Sequence, residues 1–543
     1  MKARVALALA AALVSLGAAP PLAPLTPAEQ VAANSVRAHV EFLADDRLEG
    51  RDTGSRGHEI AARYVASRFR EMGLEPGGSN GGWFIDVPLR RAVNAAQSPR
   101  IALNRDGRST ALRWARDVSV RPSLTERHRM SDARMLFVGF GLDEPLLGFD
   151  DYRGLDARGA IVVALSGTPT GLPSEIAAHL ATVKAETAQA HGAVGLIEVG
   201  ADGRREVDVA RDSTRGVMNW VASDGSTGDS RLGAIISLSR EGQQHLFDGA
   251  PRSLSALVAE AKTGRPTGFA LYGRLSLRAD SDWVDFTSPE VIARLPGADP
   301  ARATENVVLM AHLDHLGVKA DAKSNEDRVF NGALDNAAGV ATMLEAAREF
   351  VVSGKPPARS ILFIANTGEE KGLLGADYLA AHPPVPATSI VSVVDLDMPL
   401  PLYEFTDVTA YGADHSTVAR TVAEAGASMG ISVSPDPMPQ ESIFIRSDHY
   451  RFVRSGVPAI LLMTGYANGG EAAWKHFLAK VYHSPADDLS QPISWRALAR
   501  FSLLNARIAR ALADAPERPR WYAGDYFGDR FAPGQARAKR LVP

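Results

Sequence analysis

Acidic and imidazole side chains follow several short apolar runs in the second half of the chain. His312 and Asp314 directly follow the run 307–311, and further members stand after later runs or before a helical pattern: Asp335, Glu369, Glu370, Asp397 and His483. If the runs are strands of an open α/β sheet, their carboxyl ends lie at one edge, where ligands gather. The spacing therefore predicts that these side chains can face one crevice.

Two histidines, one glutamate and two aspartates from this set suit zinc and, less selectively, cobalt or manganese. The chain contains no cysteine, which excludes disulfides, a thiol nucleophile and thiolate ligands. Five ligands exceed the four of one tetrahedral zinc ion, whereas a carboxylate shared by two ions leaves each with three protein ligands and an open position. The residues therefore predict a pair of metal ions.

Apolar strands and amphipathic helices alternate in this region and must position these residues. Strands are predicted at 307–311, 361–365, 390–394 and 459–463, and helices at 336–350, 373–381, 417–429 and 495–512. Such alternation is typical of a mixed, mostly parallel sheet flanked by helices. The fold class is therefore predicted to be α/β.

Earlier parts of the chain carry different patterns. Helical spacing predicts two helices within 28–74, on either side of a polar loop at 45–57. Short apolar runs and turns then predict a β-rich module with one longer helix at 174–191. Because this pattern contrasts with its flanks, we expect an inserted domain at 106–280 between the parts of an α/β domain at 28–105 and 281–515.

The two ends of the chain carry signals of their own. Lys2 and Arg4 precede an apolar run at 5–16 and small residues at 17–19, which is typical of a signal peptide, here 1–23, cleaved near 18–23. The run is shorter than the ~20 residues of a membrane span. We expect export to the periplasm or beyond, without stable membrane insertion, and a C-terminal extension at 516–543 lying extended on the surface.

The overall charge excludes one class of partner. Lys and Arg number 59 against 63 Asp and Glu, giving a net charge of -4, and no long basic run occurs. Nucleic-acid binders concentrate positive charge on one face or segment. We therefore expect no nucleic-acid partner.

Each candidate residue taken alone has a simpler interpretation. Asp335 before an apolar helix is typical of an N-cap, and adjacent Glu369 and Glu370 are typical of a solvated acidic pair. A single histidine at a strand end, such as His312, is most often structural. The metal-site interpretation depends on the whole set occurring together at strand ends.

At these residues the chain resembles the M28 family of zinc peptidases, which includes secreted bacterial aminopeptidases. The matching segments follow the family's order: AHLDHLG at 311–317, NGALDN at 331–336, TGEEKG at 367–372, LDM at 396–398, SDH at 447–449 and YHS at 482–484. The region 28–74, with LEGR at 48–51, is similar to the family's opening helices. The resemblance implies that His312 and Asp397 bind one zinc ion, Glu370 and His483 the other, and that Asp335 bridges them.

The same resemblance implies the remaining roles. Glu369 would be the general base toward a metal-activated water, and Asp314 would orient His312 through its second ring nitrogen. The implied protein is an aminopeptidase with two Zn²⁺ per chain that hydrolyses peptides with a free amino terminus. Asp395 faces the same side as Asp397, and only the LDM match selects Asp397.

Three further observations bear on the site. His315 and His449 are expected near the crevice as supporting or pocket residues, not as ligands. The segment PLP at 399–401 replaces the Val-Gly of many relatives, which alters the expected pocket shape. Residues 133–238, with FVGFG at 137–141 and HGAVG at 191–195, resemble the protease-associated domain inserted in such peptidases, either as a lid or as a passive packing module.

Two other functions remain open from the sequence. A glutaminyl-cyclase-like acyl transferase uses a related fold with one zinc ion, and a non-catalytic binding module would have lost a ligand or the base. The complete set of five ligands together with Glu369 favours the peptidase.

Overall fold

The computed structural model describes residues 24–96, 98–200, 208–321, 323 and 326–540, so the predicted signal peptide at 1–23 lies outside the described residues. The described α-helices are α1 Pro27–Leu43, α2 Arg56–Glu71, α3 Ser174–Thr182, α4 Lys184–Ala190, α5 Val209–Thr214, α6 Arg240–Phe247, α7 Leu254–Ala261, α8 Ala338–Val352, α9 Leu374–Ala381, α10 Val418–Ala427, α11 His449–Arg454, α12 Gly470–Lys480, α13 Trp495–Asp514 and α14 Tyr526–Phe531. None of these helices is long and apolar enough to cross a membrane.

The strands form two large sheets and two small hairpin-like pairs. They are β1 Glu75–Pro76, β2 Phe84–Asn94, β3 Arg100–Arg105, β4 Arg108–Leu112, β5 Val118–Val120, β6 His128–Phe137, β7 Asp143–Glu144, β8 Phe149–Asp150, β9 Ile161–Leu165, β10 Gly195–Val199, β11 Val217–Trp220, β12 Ala234–Leu238, β13 Phe269–Leu295, β14 Asn306–His312, β15 Gly317–Val318, β16 Val329–Phe330, β17 Ser360–Asn366, β18 Ile390–Asp395, β19 Asp407–Tyr411, β20 Ser432–Ser434 and β21 Ala459–Thr464.

The main sheet has the order β11-β2-β13-β17-β14-β18-β21-β19-β20. Its four central strands, β17, β14, β18 and β21, are mutually parallel, and antiparallel strands flank them on both sides. The prediction of an α/β fold with a mixed, mostly parallel sheet is confirmed. Each predicted strand of this region falls within one residue of an observed one.

The central strands are buried on both faces, which explains their continuous apolar sequence. Every residue of β14 is buried, and alternate side chains enter different cores. Val307 and Leu309 pack in a core with α1, α8 and α13, whereas Val308 and Met310 pack with α9 and α11 on the other face. Full burial of each such side chain contributes about 1.5–3 kcal/mol, so the layers hold the carboxyl edge of the sheet rigidly.

The second sheet has the order β4-β3-β13-β6-β9-β10-β12-β5 and a separate apolar core. It shares β13 with the main sheet. This strand has 27 residues. Its polar middle pairs with β2, so main-chain pairing rather than apolar burial holds that part extended.

Two other local predictions were wrong. The helix expected at 174–191 is divided into α3 and α4 at Val183, whose backbone departs from helical geometry (φ -97°, ψ 6°). The C-terminal extension is not simply extended, since it contains α14 and the buried Trp521. Trp521 and Phe527 fill a gap in the core beside α11, which tertiary packing alone reveals.

Candidate metal centre

The predicted site residues come together at the carboxyl edge of the main sheet. His312 is the last residue of β14, and Asp397 follows β18 by two residues. Glu369 and Glu370 lie in the turn after β17, Asp335 lies in the irregular turn before α8, and His483 lies in the loop after α12. The fold thus gathers loops that are distant in sequence.

One group of donors surrounds the ring of His312. Its Nε2 lies 3.1 Å from Oδ1 of Asp397 and 3.2 Å from Oδ1 of Asp335. Its Nδ1–H donates to the main-chain carbonyl of Asp314 at 3.1 Å. Burial lowers the pKa of His312, but the carboxylates of Asp397 and Asp335 outweigh this effect and raise the pKa well above its ordinary value. A proton or a metal cation at Nε2 therefore satisfies both carboxylate oxygens.

A second group forms on the other side of Asp335. Nε2 of His483 lies 3.3 Å from Oδ2 of Asp335 and 3.1 Å from Oε2 of Glu370. Asp335 therefore turns one oxygen toward each group. Ligands of one zinc ion at tetrahedral angles and bond lengths of roughly 2.0–2.2 Å stand about 3.3–3.6 Å apart, so the separations within each group are close to those of donors around one metal ion.

His315 contacts the second group in a different way. Its Nδ1 lies 2.7 Å from Oε1 of Glu370 and 4.0 Å from Oδ2 of Asp335, so the three residues also form a possible metal-binding group. The first separation is too short and the second too long for two edges of one tetrahedron, whereas 2.7 Å is a normal charge-assisted hydrogen bond. We therefore assign Nδ1–H of His315 as a donor to Glu370.

The orientation of Asp335 depends on a residue that sequence reasoning did not identify. The carboxylate of Asp487 accepts hydrogen bonds from the amides of Leu334 at 2.9 Å and Asp335 at 3.0 Å. Gly332 allows this turn to pack closely, because a Cβ at Gly332 would lie 2.2 Å from the carbonyl of Asp335 and 2.7 Å from the ring of His315. Burial raises the pKa of Asp487 to about 6. Only its place four residues after His483 could have suggested a role.

Asp314 supports His312 differently from the expectation. Its carbonyl, not its carboxylate, accepts the hydrogen bond from the ring, and the carboxylate Oδ1 lies 4.0 Å from Nδ1. That carboxylate instead accepts from Oγ1 of Thr53 at 2.9 Å and from the amide of Glu369 at 3.2 Å. The chain turns directly after β14, and this turn places the carbonyl of Asp314, not its side chain, next to Nδ1 of His312.

Glu369 and Glu370 diverge despite being adjacent. Glu370 faces the second donor group, whereas Glu369 lines a cavity together with Asp335 and Asp397. Burial raises the pKa of Glu369 well above its ordinary value, and the carboxylates of Asp397 and Glu370 raise it further against the opposing charge of His312. Glu369 is thus a carboxylate with increased basicity beside the donor groups.

Asp397, not Asp395, lies beside His312. The carboxylate of Asp395 accepts from the amide of His449 at 3.1 Å, and the hydroxyl of Ser447 lies 2.7 Å from Asp395 and 2.8 Å from Asp397. His449 is completely buried and lies below the site instead of in the crevice. These residues form the support beneath Asp397.

The cavity beside Glu369 has an apolar side and a charged side. The apolar members come from the loop after β18, the segment between β20 and α11, β21, α12 and the loop after α12: Met398, Met438, Ile443, Leu461, Met463, Trp474, Leu478 and Tyr482. Glu441, Arg446 and Ser447 also line it, together with Asp335, Glu369 and Asp397. Leu400 of the PLP segment is buried in the same core as Leu461, Met463 and Trp474. A pocket of this lining accepts an apolar group next to the metal centre.

Known proteins resemble different lengths of the chain. Residues 290–509 match the model for peptidase family M28. The alkaline phosphatase isozyme conversion protein of Escherichia coli is 36% identical over 100 residues, 18% of this chain and 27% of that protein. Leupeptin-inactivating enzyme 1 of Streptomyces exfoliatus is 30% identical over 218 residues, 38% of this chain and 44% of that enzyme. The chain thus spans less than half the length of these relatives.

Solved structures of low sequence identity are also similar. The aminopeptidase from Aneurinibacillus sp. strain AM-1 has a TM-score of 0.48 and 20% identity, covering 90% of this chain and 95% of that protein.

Proposed function

We propose, from the premise that residues 290–509 belong to peptidase family M28, that the chain is a di-zinc aminopeptidase. It would release amino-terminal residues from peptides that carry a free amino group. The six motifs between 311 and 484 lie within the matched segment, whereas LEGR at 48–51 lies outside it.

One observation carries the proposal of two metal ions. The two carboxylate oxygens of Asp335 face separate imidazole nitrogens, at 3.2 Å from His312 and 3.3 Å from His483. A carboxylate that joins two donor groups in this way is typical of paired-metal hydrolases. We assign His312 and Asp397 to one zinc ion, Glu370 and His483 to the other, and Asp335 to both.

The remaining steps belong to residues of the chain. Two zinc ions would supply acidification of a water molecule and polarisation of the scissile carbonyl. Glu369 accepts a proton from the attacking water and passes it to the leaving amine, because its basicity is raised and it lines the same cavity as Asp335 and Asp397. Asp314 fixes the amide of Glu369 and thereby the base. The apolar cavity receives the first side chain of the substrate.

The decisive experiment compares free and amino-acetylated forms of the same peptides with purified, zinc-loaded protein. We expect release of the first residue from the free peptides only, with two zinc ions per chain by elemental analysis. Cyclisation of amino-terminal glutamine with one zinc ion per chain would indicate the cyclase-like alternative. Cleavage of both forms would exclude aminopeptidase action.

We also propose that residues 106–280 form an inserted domain of the protease-associated type and that the protein is exported. The second sheet and its separate core support the first proposal, with two departures from these bounds. Strand β3, Arg100–Arg105, belongs to the second sheet, and β11, Val217–Trp220, pairs with β2 in the main sheet. Trp220, in β11 of the main sheet, donates to Asp377 of α9 at 2.8 Å, so this part of 106–280 packs with the α/β region. Amino-terminal sequencing of the exported protein tests the second proposal, with a start near residues 18–23 expected.

A further inference from the structure

A buried cation from the opening part of the chain lies against the metal centre. Arg51 is only 1% exposed and precedes α2. Its guanidinium donates to three main-chain carbonyls of the site loops: from Nε to Leu313 at 2.9 Å, from Nη1 to Asn331 at 2.6 Å and from Nη2 to Gly332 at 3.1 Å. It also donates to Leu43 at the end of α1.

These carbonyls belong to two different loops that carry proposed ligands. Leu313 directly follows His312, whereas Asn331 and Gly332 precede Asp335 in the turn before α8. The planar guanidinium, with its fixed fork of donors, holds these two loops at a fixed distance from each other. An ammonium group cannot supply donors in this arrangement, because it is a point charge on a flexible stem.

The residues after Arg51 contact the rest of the centre. The main-chain carbonyl of Arg51 accepts from the amide of His315 at 3.2 Å. Oγ1 of Thr53 donates to Asp314 at 2.9 Å, and Asp314 holds the amide of Glu369. Asp52 pairs with Lys371 at 2.7 Å, beside Glu370. Residues 51–53 therefore reach three of the five loops that carry the proposed site residues: those after β14 and β17 and the turn before α8.

The backbone of this segment is held in an uncommon conformation. Glu49, Gly50 and Arg51 have left-handed φ values of 49°, 65° and 51°. Residues other than glycine adopt such values rarely, and persist there when surrounding contacts hold them. At Gly50 a Cβ would lie 2.3 Å from the carbonyl of Gly317, so the segment docks closely against the hairpin that follows His315.

The charge of Arg51 also fits its surroundings. Burial lowers the pKa of Arg51 to about 10, and the carboxylates of Asp487, Asp314, Asp335 and Glu370 oppose this effect. The side chain therefore stays charged at neutral pH. It is a fixed cation within an acidic site, and the same acids offset the cost of its burial.

We propose that Arg51, together with Thr53, is a positioning residue of the metal centre, which sets the ligand loops and so the affinity for zinc. The inference rests on the proposed zinc centre but not on peptidase activity. It also means that the segment 290–509 does not contain all the residues that build the site. Structural support of a metal site is typically worth 10–100-fold in affinity.

The test measures zinc affinity by competition with a chromogenic chelator, on the full-length protein, with circular dichroism as the measure of folding. Arg51→Lys keeps the charge and loses the fork, and Thr53→Val removes the hydroxyl at nearly constant volume. Both should bind zinc roughly 10–100-fold more weakly than the parent protein. Thr53→Ser restores the donor and should return the affinity to the parent value.

Arg359→Lys is the matched control for a purely structural arginine. Arg359 is equally buried, donates to the carbonyl of Leu512 at 3.1 Å and pairs with Glu305 at 2.5 Å, at the opposite, amino-terminal end of β17. Its replacement should lower thermal stability and leave zinc affinity unchanged.

Unchanged zinc affinity in folded Arg51→Lys and Thr53→Val would overturn the proposal. If Arg51→Lys does not fold, the difference in zinc affinity between Thr53→Val and Thr53→Ser tests the proposal alone. A parent protein that binds no zinc would instead contradict the proposed function.

Discussion

The imidazole of His315 is completely buried and its Nδ1 lies 2.7 Å from Oε1 of Glu370. This hydrogen bond occupies one carboxylate oxygen and leaves Oε2, which lies 3.1 Å from His483, for a metal ion. In the proposed zinc centre, Glu370 would thereby offer one ligand oxygen, which would leave a coordination position open for substrate.

Replacement of His315 by Ala should lower the affinity for the zinc ion assigned to Glu370 and His483 about 10–100-fold, because Glu370 then loses the donor that fixes it. Asn places an amide nitrogen near the position of Nδ1 and should recover most of the affinity. Zinc titration of both variants is the measurement. Complete loss of the second zinc ion from the Asn variant would instead identify His315 as a ligand.

Glu369→Gln keeps the shape of the base and removes its proton acceptor. Turnover should fall by ~10²–10⁴ while both zinc ions stay bound. Glu370→Gln is the matched comparison and should lower the affinity for one zinc ion, since an amide oxygen is a poorer ligand than a carboxylate. Elemental analysis of bound zinc together with kinetics distinguishes the two variants. Zinc loss in Glu369→Gln and retention in Glu370→Gln would reverse the assignments.

Chelation should abolish activity while the α/β fold persists. The cores on both faces of β14 are built from apolar side chains of strands and helices, so zinc contributes little to their burial. Far-ultraviolet circular dichroism before and after dialysis against chelator should be nearly the same. Zinc or cobalt should restore activity, and full activity of metal-free protein would contradict the mechanism.

The apolar cavity predicts the substrate preference. A leucine side chain adds four carbons over glycine, and each buried carbon contributes about 0.8 kcal/mol. With partial burial against Met463 and Trp474, kcat/KM for Leu peptides should exceed that for Gly peptides by roughly 10–100-fold. A series of p-nitroanilides that differ only in the first residue provides the measurement. Equal rates for Leu, Gly and Asp would show that this cavity does not receive that residue.

The buried His39 should make the free energy of unfolding decrease in acid. Burial lowers its pKa to about 4, with a further contribution from Arg68, and its Nδ1 accepts from the hydroxyl of Tyr64 at 2.9 Å. In the unfolded chain the pKa is about 6.5, so unfolding takes up a proton between these values. Stability is complete above pH 6.5 and falls as the pH drops toward 4, by up to about 3 kcal/mol.

Thermal unfolding against pH tests this expectation, with His39→Gln as the comparison. Gln can accept from Tyr64 but does not titrate, so the variant should lose less stability between pH 6.5 and 4. Parallel curves for the two proteins would show that His39 does not contribute.

The sequence by itself determined the α/β fold and the set of residues at its carboxyl edge. Continuous apolar runs such as 307–311 are typical of strands buried on both faces, and the polar residues that follow them can lie only at the edge. The motif order then distinguished Asp397 from Asp395, which alternation alone could not do. These features are local, so a linear pattern records them.

Only the tertiary structure decided which groups support the ligands. Asp487, Thr53 and Arg51 are far in sequence from the residues they hold, and Arg51 acts on main-chain carbonyls whose side chains are irrelevant to the contact. Such carbonyls occur at every residue, so no pattern of residue types marks the ones that matter. The same reason explains Asp314, whose carbonyl rather than its carboxylate orients His312.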